Sequence, residues 1–157
     1  MTTLREAADG FLSQRRIAVA GVSRDSKQPA NLIYRRLRDT QHDVFAVNPN
    51  AEEVEGDRCY RSVGAIADGV DGVVIVTTPQ VAETIISDCA AAGIRRVWLH
   101  RGLGPGSTSE KAVAACREQG IDVIPGACPN MFGATADPSH KCLRVMLQMT
   151  GKIPRSL

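Results

Sequence analysis

Five short apolar runs, separated by stretches with helical periodicity, constrain this chain more than any other feature. Residues 17–21 (IAVAG), 44–47 (VFAV), 72–77 (GVVIVT), 96–99 (RVWL) and 122–124 (DVI) are rich in β-branched side chains and nearly continuous. A strand with one face in water alternates apolar and polar residues. A strand that is apolar on both sides has both faces covered, as parallel strands do in α/β proteins.

The intervening segments read as helices. Ala30, Ile33, Tyr34 and Leu37 share one helix face, and Val81, Ile85 and Cys89 share another. Gly93 and Gly120 each follow a last periodic residue and lead into a strand, as C-terminal caps do. Thr78-Pro79 places an N-cap residue before a proline at the first helical position. Ser107 and Glu110 have capping-box spacing ahead of a further helix. Thr3 and Glu6 repeat that spacing before Leu4, Ala7, Ala8 and Phe11, which predicts a helix within residues 1–14 packed on the core. Leu143, Met146, Leu147 and Thr150 predict a closing helix within residues 139–157, its methionines read as core packing. Residues 50–68 are weaker: DRCY reads as a short edge strand and SVGAIAD as a short helix. A β-α-β-α series must form a parallel sheet with right-handed crossovers. The expected fold is therefore a doubly wound, Rossmann-like α/β domain, single over residues 1–157, a length sufficient for one core.

A net charge of +2 gives no reason to expect nucleic acid or a membrane surface as main partner. No apolar run approaches the roughly 20 residues of a membrane span. The start MTTLREAADGFL carries acids and no apolar signal core, so the cytoplasm is the expected location. The five cysteines, Cys59, Cys89, Cys116, Cys128 and Cys142, form an odd set without a C-x-x-C pair. They fit neither a disulfide framework nor a zinc site, and read as small residues in a reducing compartment.

In doubly wound sheets a ligand binds outside the carboxyl ends of the strands, where the strand order reverses. That rule selects residues 21–27, 48–50, 77–79, 100–106 and 126–129. The first of these loops runs from a strand toward a helix, an arrangement that favours an anion. Ser23 adds a hydroxyl there, and Arg24 and Lys27 add cations suited to phosphate. The dinucleotide pattern G-x-G-x-x-G is nevertheless broken: in Gly21-Val22-Ser23-Arg24-Asp25-Ser26 only the first glycine stands. Asn48 occupies the second-strand end where an acid would hold the ribose of NAD. An adenine nucleotide with extra phosphate fits these loops better than a dinucleotide.

The loops together, AVAGVSRD, VFAVNPN, GDRCYRSV, VDGVVIVTTP, AGIRRVWLHRG and GIDVIPGACPN, resemble the small stand-alone CoA-binding proteins. These are related to the CoA-binding domain of the succinyl-CoA synthetase alpha subunit and of ADP-forming acyl-CoA synthetases. The likeness covers residues 16–130, and the order and spacing of the V-N-P turn, the V-W-x-x-x-G segment and the late Cys-Pro pair carry it. It implies a CoA site. Gly21, Val22, Ser23 and Arg24 would hold phosphates; Asn48 and Pro49 would border the adenosine; Thr77, Thr78 and Pro79 would line the next loop. The pantetheine arm would pass His100, Arg101 and Gly102 toward Cys128 and Pro129. The chain also departs from the family pattern. Many relatives carry a lysine just after the N-P pair, where Asn50-Ala51 stand here, and stand-alone members often have glutamine at the place of His100. The synthetases' later domain, with its phosphorylated histidine, is not expected within 157 residues.

The leading expectation is a binder of CoA or acyl-CoA without evident catalytic machinery, acting alone, as a homodimer or through a protein partner. Two alternatives stay open. Cys128 and His100 follow strands expected to be neighbours, so a thiol-dependent acyl- or disulfide-transfer enzyme using CoA is one. An NAD(P)-binding Rossmann protein is the other.

Overall fold

The computed structural model describes residues 1–157, apart from the side chain of residue 135. Seven strands form the sheet: β1 (Arg16–Ala20), β2 (Asp43–Val47), β3 (Glu53–Val54), β4 (Asp57–Tyr60), β5 (Gly72–Ile75), β6 (Arg96–Leu99) and β7 (Asp122–Pro125). Their spatial order is β3-β4-β2-β1-β5-β6-β7, and every neighbouring pair is parallel except β3 with β4. Five α-helices complete the fold: α1 (Leu4–Leu12), α2 (Pro29–Arg38), α3 (Pro79–Ala91), α4 (Glu110–Glu118) and α5 (Pro138–Met149). Both faces of the sheet are covered, which is why the strands read as unbroken apolar runs. Ile17, Val19, Val74, Trp98 and Ile124 pack with residues of α1, α2 and α5 on one side. Their neighbours in sequence, Ala18, Ala20, Val73, Ile75, Val97 and Leu99, pack with α3 and α4 on the other. The fold is the doubly wound, Rossmann-like α/β architecture expected from the sequence.

The strand register brings the carboxyl ends level. Ala20 lies opposite both Val47 and Ile75; Ile75 opposes Leu99, and Leu99 opposes Pro125. Val47 opposes Tyr60 in turn. Six strands therefore end together, and their loops emerge along one rim. At the usual spacing of parallel strands, β2 to β7 spans about 19 Å of that rim.

Local signals set most boundaries. Thr3 caps α1 with a complete capping box to Glu6, and Leu4, Ala8 and Phe11 are buried. Gly93 and Gly120 have φ of 74° and 67°, the left-handed backbone of a helix-ending glycine. Four expectations need correction. The cap of α4 is Ser109, whose side chain accepts from the Ala112 N–H, rather than Ser107 with Glu110. Ser107 is fully buried and serves the end of β5 instead. The buried frame of α3 is Ala82, Ile86 and Cys89, one residue later for the first two, and Val81 is 49% exposed. The small Ala82 lets the helix sit close against its neighbours. Met146 and Met149 are 46% and 75% exposed, because α5 packs through Leu147 and partly buried Leu143 on its opposite face. Finally, DRCY is β4 but has a partner on its outer side, β3, and the helix expected after it is one 3₁₀ turn at Val63–Ala65.

Candidate functional site

The strand order reverses about β1 and β5, so the crevice between their carboxyl ends is the place a doubly wound sheet offers a ligand. Gly21 closes β1 there with φ 103°. A Cβ at this position would lie 2.1 Å from the Val76 carbonyl oxygen, so only glycine lets the two backbones meet. Val22 turns fully into the core. Its carbonyl accepts from Asn48 Nδ2 at 2.9 Å, while Asn48 Oδ1 accepts from the Asn50 N–H, also at 2.9 Å. The Asn48 amide thus ties the β1 and β2 loops together. Buried Asn31 braces the same loop: its Oδ1 accepts from the Ser23 N–H, and its Nδ2 donates to the Ser23 carbonyl and to Glu55. Ser23 does not cap α2, which begins at Pro29 after the cap residue Gln28. Its hydroxyl accepts from the Asp25 N–H and keeps its own proton to donate. Arg24 and Lys27 stand exposed on this braced loop, and Arg61 stands exposed just past β4 on the same rim.

The other end of the rim is concave. A cleft of about 530 Å³ lies among Val76 and Thr77 after β5, His100 and the glycine loop after β6, Cys128 and Asn130 after β7, and Leu32, His140 and Leu143 from α2 and α5. Its entrance is built by the base of the loop after β6. Gly106 (φ 64°) passes so close to β6 that a Cβ would fall 2.2 Å from the His100 carbonyl oxygen. Ser107 then locks the loop base: its hydroxyl donates to a carbonyl, with Ile75 and Thr77 oxygens at 2.9 and 2.7 Å, and accepts from the Thr77 N–H. After β7, Gly126 (φ 106°) and Ala127 (φ 63°) bend the chain back over the sheet, which carries Cys128 to the cleft wall. Trp98 supports this turn from below through its indole N–H to the Gly126 carbonyl, 2.9 Å.

Burial decides the chemistry of the wall. It pushes the Cys128 thiol up to about 12, far from a thiolate at neutral pH. It also lowers His100 to about 4, helped by the nearby His140, so this imidazole is neutral. Asn130 is wholly buried, and neither its Nδ2 nor its Oδ1 has a hydrogen-bond partner among the described residues.

Of the residues singled out by sequence, Thr77, His100, Gly102 and Cys128 come together in this cleft. Gly21, Val22, Ser23, Arg24, Lys27, Asn48 and Pro49 form the β1–β2 end of the rim. Thr78 and Pro79 start α3. Pro129 opens a buried 3₁₀ turn behind Cys128. Arg101 lines a separate depression against α4, with Thr108, Ser109 and Arg117, instead of the cleft. Sequence reasoning passed over Asn130 and His140. Asn130 follows the Cys-Pro pair directly and could have been flagged as a polar residue in an apolar turn. For His140 the chain carried one local signal, the D-P-S-H start of a helix, whose Asp caps it.

Comparison with known proteins fits this geometry. A family model described as CoA binding domain matches residues 15–134. The alpha subunit of acetate–CoA ligase [ADP-forming] II from Pyrococcus furiosus is 28% identical over 137 residues, 82% of this chain. Those residues make up only 30% of that relative's length. Among solved structures, a conserved hypothetical protein from Pyrococcus furiosus is 32% identical with a TM-score of 0.65, covering 73% of this chain and 95% of its own. The dinucleotide forming acetyl-coenzyme A synthetase 1 of Ca. Korarchaeum cryptofilum, in complex with phosphate and ADP, is 28% identical. Its TM-score is 0.65, with coverage of 80% of this chain and 28% of that one. With three quarters of its length inside the family model and the expected fold around the rim, this chain belongs to the CoA-binding domain family.

Proposed function

We propose that the rim binds CoA or a CoA thioester, nucleotide end over β1 and β2 and arm toward β6 and β7. One observation carries this reading: six strands end at one level, so a cationic, donor-bearing loop and an apolar cleft lie in line on one edge. CoA has the same polarity, a multiply phosphorylated nucleotide joined to a long, mostly neutral arm. Ser23, Arg24 and Lys27 supply the phosphate donors, with Gly21 and Val22 shaping their loop. Asn48 and Pro49 border the adenosine, and Thr77 to Pro79 face the middle of the ligand. His100, Gly102, Cys128 and Pro129 flank the arm. Arg101 enters this reading only through its backbone, given where its side chain points.

The two other expectations find less support. An NAD ribose wants an acid at the end of β2, and the Asn48 amide standing there is already spent on Val22 and Asn50. A Cys128 nucleophile wants a depressed thiol, and burial drives it the other way. As a binding module the protein would present CoA to a partner that supplies the remaining chemistry. Isothermal titration with CoA, ADP and NAD tests the reading. CoA is expected to bind more tightly than ADP, with NAD weakest, and absence of CoA binding at millimolar concentration overturns it.

A further inference from the structure

One cluster in the cleft exceeds what holding an arm requires. The Asp137 carboxylate caps α5 by accepting from the His140 N–H at 2.8 Å, and it lies 2.8 Å from His140 Nδ1 as well. Ser139 Oγ donates to it at 2.7 Å, and the Arg36 guanidinium reaches it from α2. These donors, the His140 backbone N–H foremost, hold the carboxyl well below the usual carboxylate range. A carboxylate at Nδ1 fixes the ring as the Nδ1–H tautomer, which turns Nε2 into the acceptor. Nε2 has no partner among the described residues, and the ring lines the cleft beside His100, Cys128 and Asn130.

Asn130 points independently to a ligand in the same place. Buried amides are almost always paired, and one left unpaired is costly until a partner reaches it. Its two donors and one acceptor match a secondary amide of the kind that recurs along the pantetheine arm.

We propose, building on the CoA reading, that Asn130 anchors the arm's last amide while His140, aligned by Asp137, takes the proton of the adjoining thiol, so that bound CoA is held as a thiolate. The S–H bond breaks, the sulfur keeps its electron pair, and the proton forms an N–H bond at His140 Nε2. Asp137 is a positioning residue in this scheme. The groups facing His140 support the transfer. Asp137 holds the ring through Nδ1, Arg36 pairs with Asp137, and the thiolate and imidazolium that form balance each other. His100 and Cys128, both neutral, do not compete for the proton.

The test uses the full chain with exposed Cys142 changed to Ser, and follows thiolate ultraviolet absorbance against pH. CoA is compared with desulfo-CoA, which keeps the nucleotide and the arm's amides but has no thiol. The bound thiol is expected to ionise at least about one pH unit below free CoA, a tenfold gain in thiolate. Asp137→Asn keeps the helix cap and is expected to move the midpoint back toward free CoA; His140→Gln should abolish the shift, both read on protein saturated with CoA. Asn130→Ala should weaken CoA about tenfold and leave 3′-phospho-ADP unaffected. If CoA binds but its thiol ionises as in free solution, the proton transfer is refuted and the CoA reading stands. If neither CoA nor desulfo-CoA binds, both fall. If Asn130→Ala binds CoA as wild type does, the amide anchor is refuted.

Discussion

The two ends of the rim solve different problems with similar residues. At the β1–β2 end the polar side chains are spent on the protein itself: Asn48 and Asn31 each use donor and acceptor to brace loops. What remains for a ligand is exposed charge, Arg24 and Lys27, on a rigid backbone. At the β6–β7 end exposure is lost, and polar groups stand unpartnered or electrically silenced: an unpaired Asn130, a neutral His100 and a neutral Cys128 thiol. Coulomb attraction in water is weak but tolerant of position, whereas a buried amide is costly until matched. The first end is thus suited to catching phosphates and the second to reading an uncharged arm.

The sharpest way to break this contrast is thiol chemistry. Cys128 and Cys142 belong to neighbouring parts of the chain, one buried with its thiol up at about 12 and the other exposed. Near neutral pH the thiolate fraction of Cys128 is lower by roughly a thousandfold than for an unperturbed thiol. Iodoacetamide mapped by peptide mass is expected to label Cys142 first, with Cys128 protected until the protein unfolds. Equal labelling would show that the inner end is wet.

Stability measurements probe the other end. Gly21→Ala places a methyl against the Val76 carbonyl at a backbone angle that L residues avoid. Strain and overpacking together should cost about 4 kcal/mol, read as a lower denaturant midpoint. Arg24→Ala, three residues on, should leave stability within about 0.5 kcal/mol. Comparable losses from both would mean that the loop is not braced by its backbone.

His100 gives a pH test of the buried end. Its folded value, about 4, lies below the ordinary 6.5, so between those limits the unfolded chain binds a proton that the folded one refuses. Stability therefore rises with pH across that window and is lost as pH falls through it, by up to about 3 kcal/mol for a group buried this fully. His100→Gln should flatten this slope of the denaturation midpoint against pH. An unchanged slope would place the titration elsewhere.

How much of this was legible in the sequence depends on the range of each signal. Strand runs, glycine caps and the Thr3–Glu6 box are local, and they placed the sheet and the rim loops well. Ser107 was misread because a serine before a helix and a serine that clamps a neighbouring strand look alike in sequence. Only the contact with Ile75 and Thr77, some 30 residues away, separates them. The frame of α3 slipped because Val81, Ala82, Ile85 and Ile86 offer two overlapping apolar stripes, and the sheet chose the one with the smaller first residue. The methionines of α5 show the same limit: apolar character does not say which side of a helix has a neighbour. His140 and Asn130 were invisible as a pair because β7 and α5 bring them to one cleft only after the chain turns at Gly126 and Ala127.

The smallest expected effect, and the most direct reading of the polar end, comes from its cations. Arg24 and Lys27 are exposed, so each contact with a phosphate is worth about 0.5–1 kcal/mol at moderate salt. Arg24→Ala and Lys27→Ala should each weaken CoA by roughly two- to fivefold. Added salt should erode the wild-type advantage, because screening acts on exposed charge and spares the buried arm. A pantetheine fragment, lacking the nucleotide, should bind both variants and wild type alike. Titrations of CoA at low and high salt separate the alternatives. If the variants lose affinity equally at both salts, the two side chains contribute through shape, and the division of labour along the rim is wrong at its charged end.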